Sequence, residues 1–170
     1  MIPAGTSYNS LRKAKTKSKI SQRIFGEIQA NEMRKMAIER SIWIAAPRER
    51  VWQAVTDPAQ IAQWFAPGTS FSQNGDTICV RIGEREIEVA VIELVDPPRH
   101  ITTRNLPDRS ITTTYTLEEE NGGTRFTVIE TGFETLSEDA RKERLEQDDK
   151  GWERLLENLK AFVDGRSLPS

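Results

Sequence analysis

Few side chains in this 170-residue chain are of types that do chemistry, and their isolation limits what they can do. His100 is the only histidine and Cys79 the only cysteine. One of each excludes an intramolecular disulfide, a Cys/His zinc site and the two-histidine metal motifs, so no metal is expected. A triad or an imidazole acid–base step would depend on His100, which follows Pro98-Arg99 at the start of an expected strand, where an exposed histidine is the plain expectation. Cys79, between Ile78 and Val80, should point away from their face as an inert thiol. Neither G-x-G-x-x-G nor G-x-x-x-x-G-K occurs, and no cofactor is expected.

Arg40 and Glu130 are more informative, because each falls in phase with the apolar side of its strand. An isolated charge there would cost several kcal/mol, so each must be paired, hydrated in a cavity or neutralised. Three roles follow: a salt bridge that sets register, a polar anchor for a ligand's carbonyl or hydroxyl, or a carboxyl of raised pKa acting as general acid or base. No catalytic residue can be assigned among them from spacing alone.

The elements that must position these groups follow from periodicity. Ile38, Arg40, Ile42 and Ile44 alternate with polar or outward positions, which predicts a strand over 38–44. Pro47 opens a helix through Val51, Trp52 and Val55, and Asp57-Pro58 starts a second carrying Ile61, Trp64 and Phe65. Strands are predicted over 69–73, 77–82, 86–95, 100–104, 110–118 and 124–132, with Asn74-Gly75, Gly83-Glu84 and Asn121-Gly122 among the turns. The alternation of Ile87, Val89 and Val91 breaks at Ile92, which predicts one bulge there and a bent sheet. Ser137 caps a long helix that ends at Gly165. Its first half, 137–150, holds ten charged residues of fourteen, whereas the second carries Trp152, Leu155, Leu156, Leu159, Phe162 and Val163 at helical spacing. A seven-stranded antiparallel sheet with one apolar face must cover that face, and only this helix is long enough to do so.

The amino-terminal end differs in character. Residues 1–36 hold eight Lys/Arg and two Asp/Glu, net +6, and the remaining 16 against 24 leave residues 37–170 at −8. The polar, lysine-rich stretch 1–19 is expected to be disordered, with a short helix from Ile20 to Met36. Such an arm reads as a transit peptide, a nucleic-acid arm or an over-long start, and without interleaved aromatics nucleic acid is disfavoured. No apolar run approaches 18 residues, so no membrane span is expected, and the expected setting is a reducing cytosol.

Taken together, Ile38-Glu39-Arg40, Ala46-Pro47 with Val51-Trp52, Thr56-Asp57-Pro58 with Trp64-Phe65, Asp96-Pro97-Pro98, Gly123-Thr124-Arg125, Glu130-Thr131-Gly132-Phe133 and Gly151-Trp152 resemble the helix-grip, START-like (SRPBCC) superfamily. Within it, they are similar to the branch named after the activator of heat-shock-protein ATPase homologue, AHSA. The resemblance covers about residues 37–165. It implies an α+β helix-grip (START/Bet v-like) fold: a curved seven-stranded antiparallel sheet wrapped around the C-terminal helix, with two short helices after the first strand and an elongated apolar cavity between sheet and helix. The domains would be a basic extension, 1–36, and an AHSA-like domain, 37–170.

In that fold the first and last strands are neighbours, so Arg40 and Glu130 should meet, and Trp64, Phe65, Phe71, Tyr115 and Trp152 become candidate cavity-lining aromatics. The implied function is binding of a small hydrophobic molecule, a lipid, polyketide or aromatic, without assigned turnover. The alternatives are a cyclase, dehydratase or hydrolase using a cavity carboxylate, Glu130 with Tyr115, or a co-chaperone or protein-interaction module acting on a heat-shock ATPase through the acidic helix face or the basic arm. Proteins that stimulate the heat-shock ATPase carry a further N-terminal domain for which this chain is too short. Homodimerisation is left open.

Overall fold

The computed structural model describes residues 8–169, with side chains described from residue 15 onward. The chain forms two units, one ending at Lys35 and the other beginning at Met36. Among the described residues the first is a single helix, α1 (Tyr8–Lys35). The expected disorder over 1–19 is thus corrected for residues 8–19, and its remainder, 1–7, lies outside the described residues. Helix propensity explains the difference: the segment lacks proline, is rich in Lys, Arg, Ala, Gln and Glu, and carries Arg34 and Lys35 in its last turn against the macrodipole. Ile20, Ile24, Phe25 and Ile28 are all more than half exposed on it.

In the second unit, β1 (Ile38–Ile44) leads into α2 (Arg48–Thr56) and α3 (Pro58–Trp64). Six strands follow: β2 (Ser70–Asn74), β3 (Thr77–Ile82), β4 (Arg85–Asp96), β5 (His100–Asn105), β6 (Thr112–Glu120) and β7 (Gly123–Thr131). A short 3₁₀ turn at Phe133–Thr135 then precedes α4 (Glu138–Val163). The sheet order is β1-β7-β6-β5-β4-β3-β2, with every neighbouring pair antiparallel. This is the helix-grip fold.

Local chemistry sets the joints. Asp57 caps α3 by accepting from the Ala59 N–H at 2.9 Å, and Pro58 occupies the first turn, where its missing donor costs nothing. At the far end of α4, Arg166 N–H donates to Ala161 O and Gly165 N–H to Phe162 O, with Gly165 at φ 69°, a Schellman cap. β4 has two register irregularities, at Ile78/Cys79 against β3 and at Ile92/Leu94 against β5. The single bulge expected at Val91-Ile92 is therefore corrected to two that flank it, because β4 must bend relative to both neighbours.

The core gathers Ile38 and Ile44 from β1, Val51 and Val55 from α2, Phe126 and Val128 from β7, and Trp152, Leu155, Leu156 and Leu159 from α4. Every buried residue of α4 lies at or beyond Trp152, and the charged first half stays largely solvated. Gly132 fixes the exit from β7: φ is 103°, and a Cβ there would stand 2.0 Å from Ser110 O.

Two substitutions should separate the gripped half of α4 from its solvated half. Trp152→Ala should cost roughly 3–5 kcal/mol in urea titrations, as a buried aromatic removed from a core does. Lys142→Ala, on the exposed half, should stay within about 0.5 kcal/mol. Equal losses would contradict a helix held chiefly by its second half.

Candidate functional site

Between the sheet and α4 lies a cavity of about 470 Å³. Its walls come from α3, the inward faces of β2 to β6, Glu130 of β7 and Trp152 of α4. Inward alternation explains the wall: Ile78, Val80 and Ile82 are successive same-face positions of β3, and Thr113 and Tyr115 of β6. Ile82 is 58% exposed, so the lining runs out to solvent along the β3–β4 hairpin.

The aromatic side chains are arranged edge to face. Phe65 stands 6.0 Å from Phe71 and 6.0 Å from Trp152, and Trp152 stands 5.8 Å from Tyr115, at interplanar angles of 88°, 71° and 82°. This geometry places the positive ring edges on negative faces and holds the rings at defined angles. Trp64 is locked by its indole N–H, which donates to Ala54 O at 2.9 Å, and Asn158 of α4 donates to Trp64 O at 3.2 Å. The wall is tied to α2 and α4 through these two bonds.

Glu130 is the one carboxyl in the lining, only 7% exposed. Its Oε1 accepts from the Thr113 hydroxyl at 3.1 Å, and no protein group hydrogen-bonds Oε2. Burial pushes the carboxyl up to about 7, against the opposing effect of the Trp152 indole. Asp148 adds to the rise, and Thr113 and Arg144 reduce it. Tyr115 is also pushed up, first by burial and then by the Glu130 charge. Both groups favour their neutral forms, so the cavity wall tends to lose its charge as pH falls below 7.

Six of the seven residues singled out from sequence, Trp64, Phe65, Phe71, Tyr115, Glu130 and Trp152, line this one cavity. Arg40 does not, and the expected meeting of Arg40 and Glu130 is corrected. Register places Ile38 opposite Glu130 and Arg40 opposite Val128. The guanidinium instead reaches α4, where it donates from Nε and Nη2 to the two carboxylate oxygens of Asp149, both at 2.7 Å. The pair holds Asp149 below the usual carboxylate range and raises Arg40, chiefly through that hydrogen bond. With the side chains 38% and 44% exposed, it sets the position of α4 over β1 more than it stabilises, about 0–1 kcal/mol.

His100 lies outside the lining, its Nε2 2.8 Å from Thr102 Oγ1, and Cys79 is buried 4.0 Å from Asn74 Nδ2. Thr113 was missed by the sequence reading. It shares an inward phase with Tyr115, but its pairing with Glu130 depends on the β6–β7 register. Asp149 was missed because nothing in a run of acids marks one of them as the partner of an arginine 109 positions away.

The family model for Activator of Hsp90 ATPase homolog 1-like protein matches residues 45–164. The chain belongs to this family. It thereby falls in the AHSA branch of the START-like superfamily. A protein from Staphylococcus saprophyticus is similar at 27% identity and TM-score 0.62, over 79% of this chain and 96% of that one. The Aha1 dimer from Colwellia psychrerythraea is 18% identical at TM-score 0.63, over 77% and 98%. DynU16, a protein of the dynemicin biosynthetic locus, is 21% identical at TM-score 0.62, over 79% of this chain and 49% of its own. Likenesses at 18% and 21% carry the fold alone. No curated protein matches the sequence. The AHSA match begins after β1, so both Arg40 and α1 lie outside it. Among the described residues no helix is long and apolar enough to cross a membrane, and no group of three or more His, Cys, Asp and Glu could hold a metal ion.

The carboxyl of Glu130 links stability to pH. Its folded value, about 7, exceeds the ordinary 4.5, so the native state holds the proton more tightly. Its stabilising contribution is full below about pH 4.5 and is lost as pH rises through about 7. Replacing it by an amide removes that loss. Between pH 4.5 and 8 the stability of Glu130→Gln relative to the parent should therefore improve by up to about 3 kcal/mol in urea titrations. A difference constant across that range would show that the carboxyl is not buried as described.

Proposed function

We propose that this chain binds a small, predominantly apolar molecule in the cavity between the sheet and α4, with no turnover assigned. The observation that carries the reading is the lining: five aromatic rings and a set of aliphatic side chains around about 470 Å³, with a single buried carboxyl. Small-molecule sites commonly enclose about 300–1,000 Å³ of mostly apolar wall with a few placed polar groups. A solid core would have been more stable, since unfilled volume costs packing.

An acid–base enzyme is less well supported, because proton transfer needs a donor and an acceptor poised together. Tyr115 and Glu130 are both held toward the neutral, protonated form, and His100 is absent from the lining. The family name describes an activator of a heat-shock ATPase, and the cavity lining has no feature that favours that reading over ligand binding. We further propose that the unit from Met36 onward is the complete binding domain and α1 an appendage to it.

Titration with N-phenyl-1-naphthylamine, an uncharged probe whose fluorescence rises in apolar surroundings, should saturate at about one site per chain. Ala66→Trp, which fills the cavity from α3's end, should abolish saturable binding while the melting curve stays cooperative. Unsaturable binding, or binding indifferent to Ala66→Trp, would refute the cavity as the site.

A chain starting at Met36 should bind the probe with unchanged affinity and melt within a few degrees of the full chain. Loss of cooperativity on that truncation would show that α1 belongs to the folded domain.

A further inference from the structure

We infer that the cavity, of about 470 Å³, selects a neutral, mostly apolar molecule bearing a hydrogen-bond-accepting carbonyl oxygen, which the Glu130 carboxyl holds through Oε2 and lets go when it ionises. The inference rests on the binding reading above and names the ligand class and its release.

The geometry around Glu130 assigns the donor. Oε1 accepts from the Thr113 hydroxyl, and Oε2 has no partner in hydrogen-bond geometry, the Trp152 indole acting on the carboxyl without bonding Oε2; with Thr113 donating to Oε1, a proton on the carboxyl is assigned to Oε2. A buried O–H without an acceptor is costly, and a ligand carbonyl relieves that cost. A ketone or aldehyde supplies the acceptor without bringing a charge. An organic acid is a poor fit because no cation lines the wall.

The charged groups nearby are already engaged. On α4, Asp148 and Arg144 pair at 2.5 Å, and on β1 Arg40 is held by Asp149. Tyr115 of β6 is the other ionisable lining residue, and burial keeps it neutral. The walls from α3 and from β2 to β5 contribute no ionisable side chain. Glu130 is therefore the group whose charge changes near neutrality. Once ionised, Oε2 becomes an acceptor and repels a carbonyl oxygen. The expected switch lies near pH 7, where burial places the carboxyl.

The test compares 9-fluorenone with fluorene, which share a ring skeleton and differ in the carbonyl, by calorimetric titration of the full chain at about pH 5.5 and about pH 8.5. Fluorenone should bind about five- to tenfold more tightly than fluorene at the lower pH, and the preference should vanish at the higher. Glu130→Gln keeps a donor that does not titrate, so its preference should persist at both pH values. Glu130→Met should show none at either, with melting curves confirming that both variants fold.

Equal, saturable binding of the two compounds at the lower pH overturns the carbonyl selection and leaves the cavity reading intact. Saturable binding of neither overturns both. A preference surviving in Glu130→Met, or a pH dependence surviving in Glu130→Gln, overturns the assignment to this carboxyl.

Discussion

A sheet wider than the helix that must cover it is the constraint on which this structure depends. Seven strands about 4.8 Å apart span about 29 Å, whereas a helix with its side chains is about 10–12 Å across. α4 packs against β1, and α3 packs against β2 at the opposite edge. β7 joins the core under α4 and α2 meets β6 and β7, which leaves the inward face of β3 to β5 with the least helix cover. Curvature, helped by the two irregularities of β4, narrows that gap without closing it. The cavity is the remainder, and its aromatic lining follows from its position: these are core-facing side chains that meet space where others meet a helix.

This origin explains how two similar-looking charges reach opposite outcomes. Arg40 and Glu130 both sit on inward phases of adjacent strands. Arg40 has a long flexible side chain and lies under the charged half of α4, so its guanidinium reaches Asp149 and remains partly in water. Glu130 is shorter and lies in the cavity wall beside Trp152, and the nearby Arg144 is already paired with Asp148. Its charge is suppressed by burial instead of being matched. One charge therefore serves to place the helix, and the other leaves a titratable polar group in an apolar wall.

The rings are the stiff part of the site. Phe71, Phe65, Trp152 and Tyr115 form a run of edge-to-face neighbours that joins β2, the end of α3, α4 and β6. Each ring is braced by the next, which fixes the angles at which they face the cavity. The hydrogen bonds that fix Trp64 to Ala54 and to Asn158 extend the bracing to α2 and to a second point on α4.

Much of this was legible in the residues themselves. Period-two alternation, turn pairs and the two unlike halves of α4 predict the element order, and the motifs from Ala46-Pro47 to Gly151-Trp152 point to the family. Six of the seven residues singled out lie in one cavity because phase along a strand is a local property of the chain. What the sequence left undecided depends on register and distance: that Arg40 stands opposite Val128 and reaches Asp149, that Thr113 pairs with Glu130, and that β4 is irregular at two points. The part of α1 before Ile20 was missed for a different reason, since its support is propensity spread over many polar residues and the apolar period of Ile20, Ile24 and Ile28 begins only later. Phase told which side chains face inward; only the packed sheet and helix decided which of them found a partner, because pairing is set by contacts between residues far apart in the chain.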